Sequence, residues 1–189
     1  MNKIFTITAF ILSTLVMHAQ DVVSNQSASS KIFTVSLNAM ASDPSQLGVS
    51  LEYNEPEKHR SALANISYAG MNYNVNQYGF DINGYGFAIE LGVKHYHMEN
   101  IKGLYTANYF SYGSIKFDKN FDFGRFEGTY SYFSLFNPEL GYKFMLGNIS
   151  VDPFLGAMWK IEIKGQGDID NRYTDEWAVR AGLKIGYQF

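Results

Sequence analysis

A chain of 189 residues that is 46% hydrophobic and only 17% charged has too few ionisable side chains for an ordinary soluble surface, where roughly 25% is usual. Aromatic residues reach 16%, with Tyr 14 and Phe 15, a load that suits rings placed at a membrane interface. A formal net charge of -3 argues against a nucleic-acid partner, and the absence of cysteine excludes disulfides and thiol-linked lipid.

The chain opens MNKIFTITAFILSTLVMHAQ, in which Lys3 precedes an apolar stretch from Ile4 to Val16 and Ala19 offers a cleavage residue. This pattern predicts an export signal over residues 1–19, with Met17 larger than the residue usual three positions before a cut. Residues 20–30, QDVVSNQSASS, are polar and read as a mobile lead-in, leaving 31–189 as one barrel domain. No later run approaches the roughly 18 apolar residues of a spanning helix, so any membrane crossing falls to strands.

Eight alternating segments follow, each bounded by turn residues: 31–41, 46–53, 61–71, 84–96, 103–115, 129–144, 149–163 and 176–189. In the fourth, Tyr85, Phe87, Ile89, Leu91 and Val93 share a face opposed by Gly86, Ala88, Glu90, Gly92 and Lys94. The seventh aligns Ile149, Val151, Pro153, Leu155, Ala157, Trp159, Ile161 and Ile163 against Asp152, Gly156, Lys160 and Glu162. The eighth aligns Trp177, Val179, Ala181, Leu183, Ile185, Tyr187 and Phe189 against Arg180, Gly182, Lys184 and Gly186. Several runs match the roughly 9 to 11 residues of a tilted strand that crosses a bilayer. Pro138 and Pro153 fall inside strands, where each removes a ladder hydrogen bond, so a bulge or frayed ladder is expected there.

Alternation alone does not say which face is outside. A soluble lipocalin-like ligand-binding barrel also alternates, with its bulky residues inward. The small-residue face decides: Gly, Ala and Ser with sparse Lys, Arg and Glu suit a narrow lumen, whereas a hydrated strand avoids glycine. Phe87, Ile89, Leu91, Val93, Leu155, Trp159, Trp177, Leu183 and Ile185 are then expected to face lipid. The gaps 54–60, 72–83, 97–102, 116–128, 145–148 and 164–175 alternate short and long, as short periplasmic turns and long external loops would.

A closing amphipathic strand with Tyr187 and terminal Phe189 resembles the C-terminal signature of bacterial outer-membrane barrels. With the export signal and the eight segments, the chain resembles the small OmpA/OmpX-type barrels, and its HAQ signal end is similar to those of Bacteroidetes. The resemblance implies an all-β, eight-stranded antiparallel up-and-down transmembrane β-barrel in the cell outer membrane. It also implies that Tyr187 and Phe189 are read by the barrel-assembly machinery and that the partners are outer-membrane lipids and lipopolysaccharide.

Inward charges form the main candidate site. Glu52, Glu90, Glu139 and Glu162 oppose Lys94, Lys143, Lys160, Arg180 and Lys184, nearly balanced in sign, and are expected to fill the lumen as an ion-pair network. The alternative is the lining of a narrow pore. Small outer-membrane barrels also include lipid-modifying enzymes, but His59, His95 and His97 fall at the periplasmic end, away from any outer-rim acid, so no catalytic residue is assigned.

No cofactor or metal is expected. His95 and His97 are two apart on one face, but as polar-tipped rings at a strand end they suit the headgroup level better than a metal. The acids in Gly165 to Glu176 lack the ordered spacing of a calcium loop. In Phe117 to Gly128, Phe alternates with charge, so the flanking strands can continue outward as a hairpin that captures an extracellular partner by strand addition.

Overall fold

A computed structural model of the protein describes residues 32–75, 80–98, 101–122, 124–170 and 174–189. The expected export signal over 1–19 and the lead-in over 20–30 lie outside them. The described strands are β1 (Ile32–Ala41), β2 (Ser45–Glu55), β3 (Arg60–Val75), β4 (Phe80–Tyr96), β5 (Gly103–Phe121), β6 (Gly124–Phe136), β7 (Pro138–Leu146), β8 (Ile149–Gly167) and β9 (Trp177–Gln188). All pair antiparallel with their neighbours, and β9 pairs with β1 from Thr34↔Gln188 to Ala41↔Ala181, which closes the sheet on itself. Because β6 and β7 both lie between β5 and β8, the ring has eight positions. The fold is an eight-stranded antiparallel up-and-down β-barrel.

The division between β6 and β7 is a bulge. Along β5 the register runs Ser111↔Ser134 and then Asn108↔Pro138, so one side accommodates one residue more than the other. The extra residue reverses the alternation: Tyr130, Tyr132 and Ser134 are buried on one side of it, Glu139 and Lys143 on the other, with Leu135 and Phe136 both exposed. Asn137 satisfies the kink. Its backbone N–H donates to Asn108 Oδ1 at 2.9 Å and its Nδ2 to Ser111 Oγ at 2.6 Å. The other proline leaves a gap too, since the β7–β8 ladder is interrupted between Gly141↔Phe154 and Phe144↔Val151, opposite Pro153.

One segment read as an external loop is largely strand instead, and a second continues outward as the hairpin that its alternation of Phe with charge allowed. Residues 72–83 are largely hairpin, paired through Asn72↔Asn83, Tyr73↔Ile82, Asn74↔Asp81 and Val75↔Phe80. Residues 116–128 continue β5 and β6 as far as Phe121↔Gly124. Cross-strand side-chain bonds, Asn72 to Asn83 at 3.1 Å and Asn74 to Asp81 at 2.6 Å, hold the first where polar residues replace the apolar face. The turn at the other end of the barrel is tight: Leu146 pairs with Ile149 across Gly147 and Asn148, and Gly147 takes φ 64, which glycine adopts without strain.

The polarity is inverted relative to a soluble protein. Leu91 is 55% exposed, Ile185 50% and Leu183 38%, whereas Glu90 is 0% and Lys184 3%. Phe87, Ile89, Val93, Leu155, Trp159 and Trp177 are exposed on the same outer surface. Rings border this belt at both ends. Tyr68 stacks on Tyr85 and Trp159 on Trp177 at one end, while Phe33 meets Tyr53, Tyr142 meets Phe144 and Tyr187 meets Phe189 at the other. A closed sheet with no unpaired edge in the belt, apolar outside and charged inside, is the construction of a transmembrane barrel. The lipocalin-like alternative would need these aliphatic side chains in the middle, and they are not there.

Candidate functional site

Inward positions of β2, β4, β7, β8 and β9 bring their charges together along the barrel axis. Glu52, Glu90, Glu139 and Asp152 supply four negative groups and Lys94, Lys143, Arg180 and Lys184 four positive ones, each no more than 5% exposed. Buried charges are tolerated only when paired and hydrogen-bonded, and the geometry here supplies both.

One set gathers around Glu52. Lys94 Nζ donates to Glu52 Oε2 at 3.1 Å and Asp152 Oδ2 at 2.5 Å, and Lys143 Nζ donates to Glu52 Oε1 at 3.1 Å. Tyr96 donates its hydroxyl to Glu52 Oε1 at 2.8 Å, and Tyr105 donates to Asp152 Oδ1 at 2.5 Å. The other set gathers around Glu90 and Glu139. Arg180 grips Glu90 with Nη1 at 2.8 Å and Nη2 at 3.1 Å, while Asn65 and Ser111 donate to the same carboxylate at 3.0 and 2.9 Å. Lys184 Nζ and Tyr109 OH reach Glu139 Oε1 at 2.8 and 2.9 Å. Arg180 Nη2, 3.8 Å from Glu139 Oε2, links the two carboxylates. Rings cover the cations: Lys94 Nζ is 4.4 Å from the Tyr105 ring centroid, Lys184 Nζ 4.2 Å from Phe154 and the Arg180 guanidinium 5.0 Å from Tyr109.

Two expected members stand apart from this centre. Lys160 pairs with Asp43 of the β1–β2 turn at 3.0 Å. Glu162 accepts hydrogen bonds from Tyr130 at 3.3 Å and from Thr174. Both lie farther along β8 than Asp152 and Gly156, the residues paired with Lys184 and Arg180. Asp152, present on the inward face but not assigned to the network from sequence, joins this centre through Lys94.

The larger departure concerns what fills the remaining volume. The lumen-facing surface is not only small residues. Tyr73, Tyr96, Tyr105, Tyr109, Tyr130, Tyr132 and Phe117 are all at most 2% exposed and point inward. Luminal glycines make room for these rings on the adjacent strand. A Cβ on Gly92 would fall 2.4 Å from Tyr109, one on Gly113 2.4 Å from Tyr132, and one on Gly84 2.5 Å from Phe117. Toward the hairpin end the filling becomes apolar: Met71, Tyr73, Ile82, Ile115, Phe117, Tyr130 and Met158 form one cluster with Ile169. Phe121 and Phe126 of this hairpin pack against it and so help to close the barrel mouth. Asp168 and Asp170 also fold back onto the mouth, Asp168 Oδ2 accepting from Glu127 N at 2.9 Å and Asp170 N donating to Tyr73 OH at 3.0 Å.

The histidine pair lies outside the lumen. His95 and His97 face outward at the opposite end, ring centroids 5.3 Å apart, with His97 Nε2 3.0 Å from Thr106 Oγ1. Among the described residues no three His, Asp or Glu side chains are grouped for a metal.

No protein-family model and no curated protein sequence matches the chain. Solved structures do. A major outer membrane protein from Thermus thermophilus is 14% identical, aligned over 85% of this chain and 100% of that one with a TM-score of 0.61. The N-terminal β-barrel domain of Pseudomonas aeruginosa OprF is 16% identical over 84% of this chain and 98% of its own, with a TM-score of 0.45. Ail, the attachment invasion locus protein of Yersinia pestis, solved in complex with the heparin analogue sucrose octasulfate, is 15% identical over 84% and 97%, with a TM-score of 0.47. At such identities the likeness to the Thermus protein is one of fold, the same closed barrel that pairing and register give here.

Proposed function

We propose that this chain is an integral outer-membrane protein whose barrel is a closed structural post, with external hairpins that serve attachment. The observation that carries this reading is the lumen. Four acids and four bases are paired and buried across it, and tyrosine rings occupy what space the strands leave. A conducting pore needs a continuous wet path, and an acyl- or peptide-cleaving enzyme needs an accessible base beside a nucleophile; neither is supported by this packing. The partners proposed are lipopolysaccharide and phospholipid around the apolar belt and the barrel-assembly machinery at Tyr187 and Phe189.

Fractionation tests this directly. The expected result is a detergent-extracted outer-membrane species whose gel mobility changes on heating, with no steady conductance when reconstituted in a planar bilayer. A freely released periplasmic species, or a stable channel, would overturn the reading. The attachment role is supported by β5 and β6, which stay paired to Phe121↔Gly124 after the β4–β5 ladder ends at Gly84↔Phe117. Excising residues 118–127 while keeping the heat-modifiable barrel is expected to lower binding to host or matrix surfaces. Unchanged attachment would leave the post without its adhesive role.

A further inference from the structure

The rings do not fill the lumen evenly. Tyr96, Tyr105, Tyr109, Tyr130 and Tyr132 enter it from β4, β5 and β6, whereas the inward positions of β1 from Thr34 to Met40, and of β2 from Gln46 to Asn54, carry no ring. Register lays two inward rows side by side on this wall. Asn38, Gly48, Ser67, Ala88 and Gly113 are successive partners from β1 to β5, and Ser36, Ser50 and Asn65 are successive partners from β1 to β3. The longer row ends at Tyr132 of β6, which pairs with Gly113 and lays its ring over it, the hydroxyl 2.7 Å from where a Cβ would stand. The Tyr132 hydroxyl therefore reaches across β5 toward Ala88 and Ser67.

This wall carries polar atoms that the barrel leaves unpaired. Among the described residues Asn38 Oδ1, both amide atoms of Gln46, Ser50 Oγ, Asn65 Oδ1, Ser67 Oγ and the Tyr132 hydroxyl have no hydrogen-bond partner, and each of these residues is at most 4% exposed. All six lie within paired ladders, with a described strand on either side. Buried polar groups in folded proteins are paired with protein or with ordered water, so a concentration of unpaired ones on one wall marks an occupant. Its chemistry follows from the set. Whichever way its amide is turned, Gln46 offers one donor and one acceptor, Asn65 keeps its carbonyl oxygen free because its Nδ2 is given to Glu90, and the hydroxyls do both. A cation would face the Gln46 N–H and an anion the carbonyl oxygens, and the paired Arg180 and Glu90 leave no net charge beside them to neutralise. Water is the smallest molecule that donates and accepts at once.

We propose that the wall formed by β1, β2 and β3 holds a cluster of about two or three bound waters, each making about three hydrogen bonds, between Gln46 and Asn65. Asn65 is the boundary between these waters and the Arg180–Glu90 pair. The cluster is closed off at one end by Asp43, which reaches over β9 to Lys160, and by Met71, Ile82 and Phe117; at the other end Lys94 and Lys143 close on Glu52. It is an internal component of the barrel and not a path through it. The inference rests on the closed lumen of the proposed function and adds a ligand site to it.

A crystal structure of the detergent-purified full chain tests it through the electron density along this wall. Water within hydrogen-bond distance of Asn38, Gln46 and Ser67 is expected. Direct bonds among these side chains with no water between them, or an ion or polyol in that place, would overturn the proposal. Oxygen-17 relaxation dispersion counts long-lived waters in solution. Asn38→Leu combined with Gln46→Leu is expected to lose about two of them and Tyr132→Phe about one, while Asn72→Ala, on the exposed hairpin, loses none. Heat-modifiable mobility checks that each variant is folded, and an unchanged count in the folded double variant would also overturn the site. If that variant does not fold, the density of the unaltered chain still decides. Steady conductance by the unaltered chain would instead defeat the closed post, whether or not these waters are found.

Discussion

Arg180 and Glu90, ninety positions apart in sequence, are joined by two parallel hydrogen bonds of 2.8 and 3.1 Å inside the barrel, and neither side chain is more than 1% exposed. A fork-to-fork pair fixes orientation as well as charge, and its partners cannot find water if the other is removed. Arg180→Met is therefore expected to destabilise the barrel by about 3–5 kcal/mol, because Glu90 keeps only Asn65 and Ser111. Adding Glu90→Gln should recover much of that loss. Reversible denaturant unfolding in lipid vesicles measures both; a single variant that unfolds at the unaltered midpoint would show that the pair carries no such weight.

Gly92 and Tyr109 make the second test. The ring occupies the place where any Cβ at position 92 would be, at 2.4 Å, and the same ring hydrogen-bonds Glu139 and covers Arg180. Gly92→Ala is expected to cost about 1–3 kcal/mol through overpacking, since the ring cannot retreat without giving up Glu139. In Tyr109→Leu the same alanine should cost less, while the leucine alone leaves Glu139 with Lys184 and Tyr105. Non-additivity in the double-mutant cycle is the readout, and strict additivity would contradict direct contact.

These two relationships show what could be read from sequence and what could not. The alternation from Tyr85 to Lys94 states its own faces, because every odd position is bulky and apolar and every even one small or charged. Tyrosine defeats that logic. Tyr85 and Tyr142 sit in the outer girdles while Tyr96 and Tyr109 fill the lumen, so residue type does not distinguish them; the room for Tyr109 is left by Gly92 on the paired strand, which only the register reveals. The same holds for ion partners: that Lys94 takes Asp152, and Lys160 takes Asp43, follows from strand offsets absent from any single segment. At Asn137 a signal was present in the adjacent pair Leu135 and Phe136, two apolar residues in succession just before Pro138, which marks where the alternation reverses.

The outer belt makes a depth-dependent prediction. On β4 the apolar face runs from Tyr85 to Val93, with Asn83 beyond one end and His95 beyond the other. Ile89 is its midpoint. Ile89→Arg is expected to cost about 2–4 kcal/mol, and Val93→Arg only about 0–1, because the second side chain reaches the interface. Vesicle unfolding titrations of the two variants measure this difference. Equal costs would mean that Ile89 does not lie in hydrocarbon.

The projecting β5–β6 hairpin responds to acid through one pair. Arg125 Nε and Nη2 donate to the two oxygens of Asp118 at 2.9 and 2.8 Å, and these bonds hold the Asp118 carboxyl below the usual carboxylate range. A folded-state pKa below the unfolded value means that the stabilisation is fully present above the unfolded pKa. It is lost as the pH falls through the folded one. Because both groups are exposed, the effect is local to the hairpin tip and is weakened by salt. Amide exchange at residues 118–122 and 124–126 is expected to quicken as pH drops below about 4, relative to the intrinsic exchange rate, while the barrel strands stay protected. Asp118→Asn should remove that pH dependence and leave exchange fast throughout. A tip that opens with acid equally in Asp118→Asn would assign the response to another group.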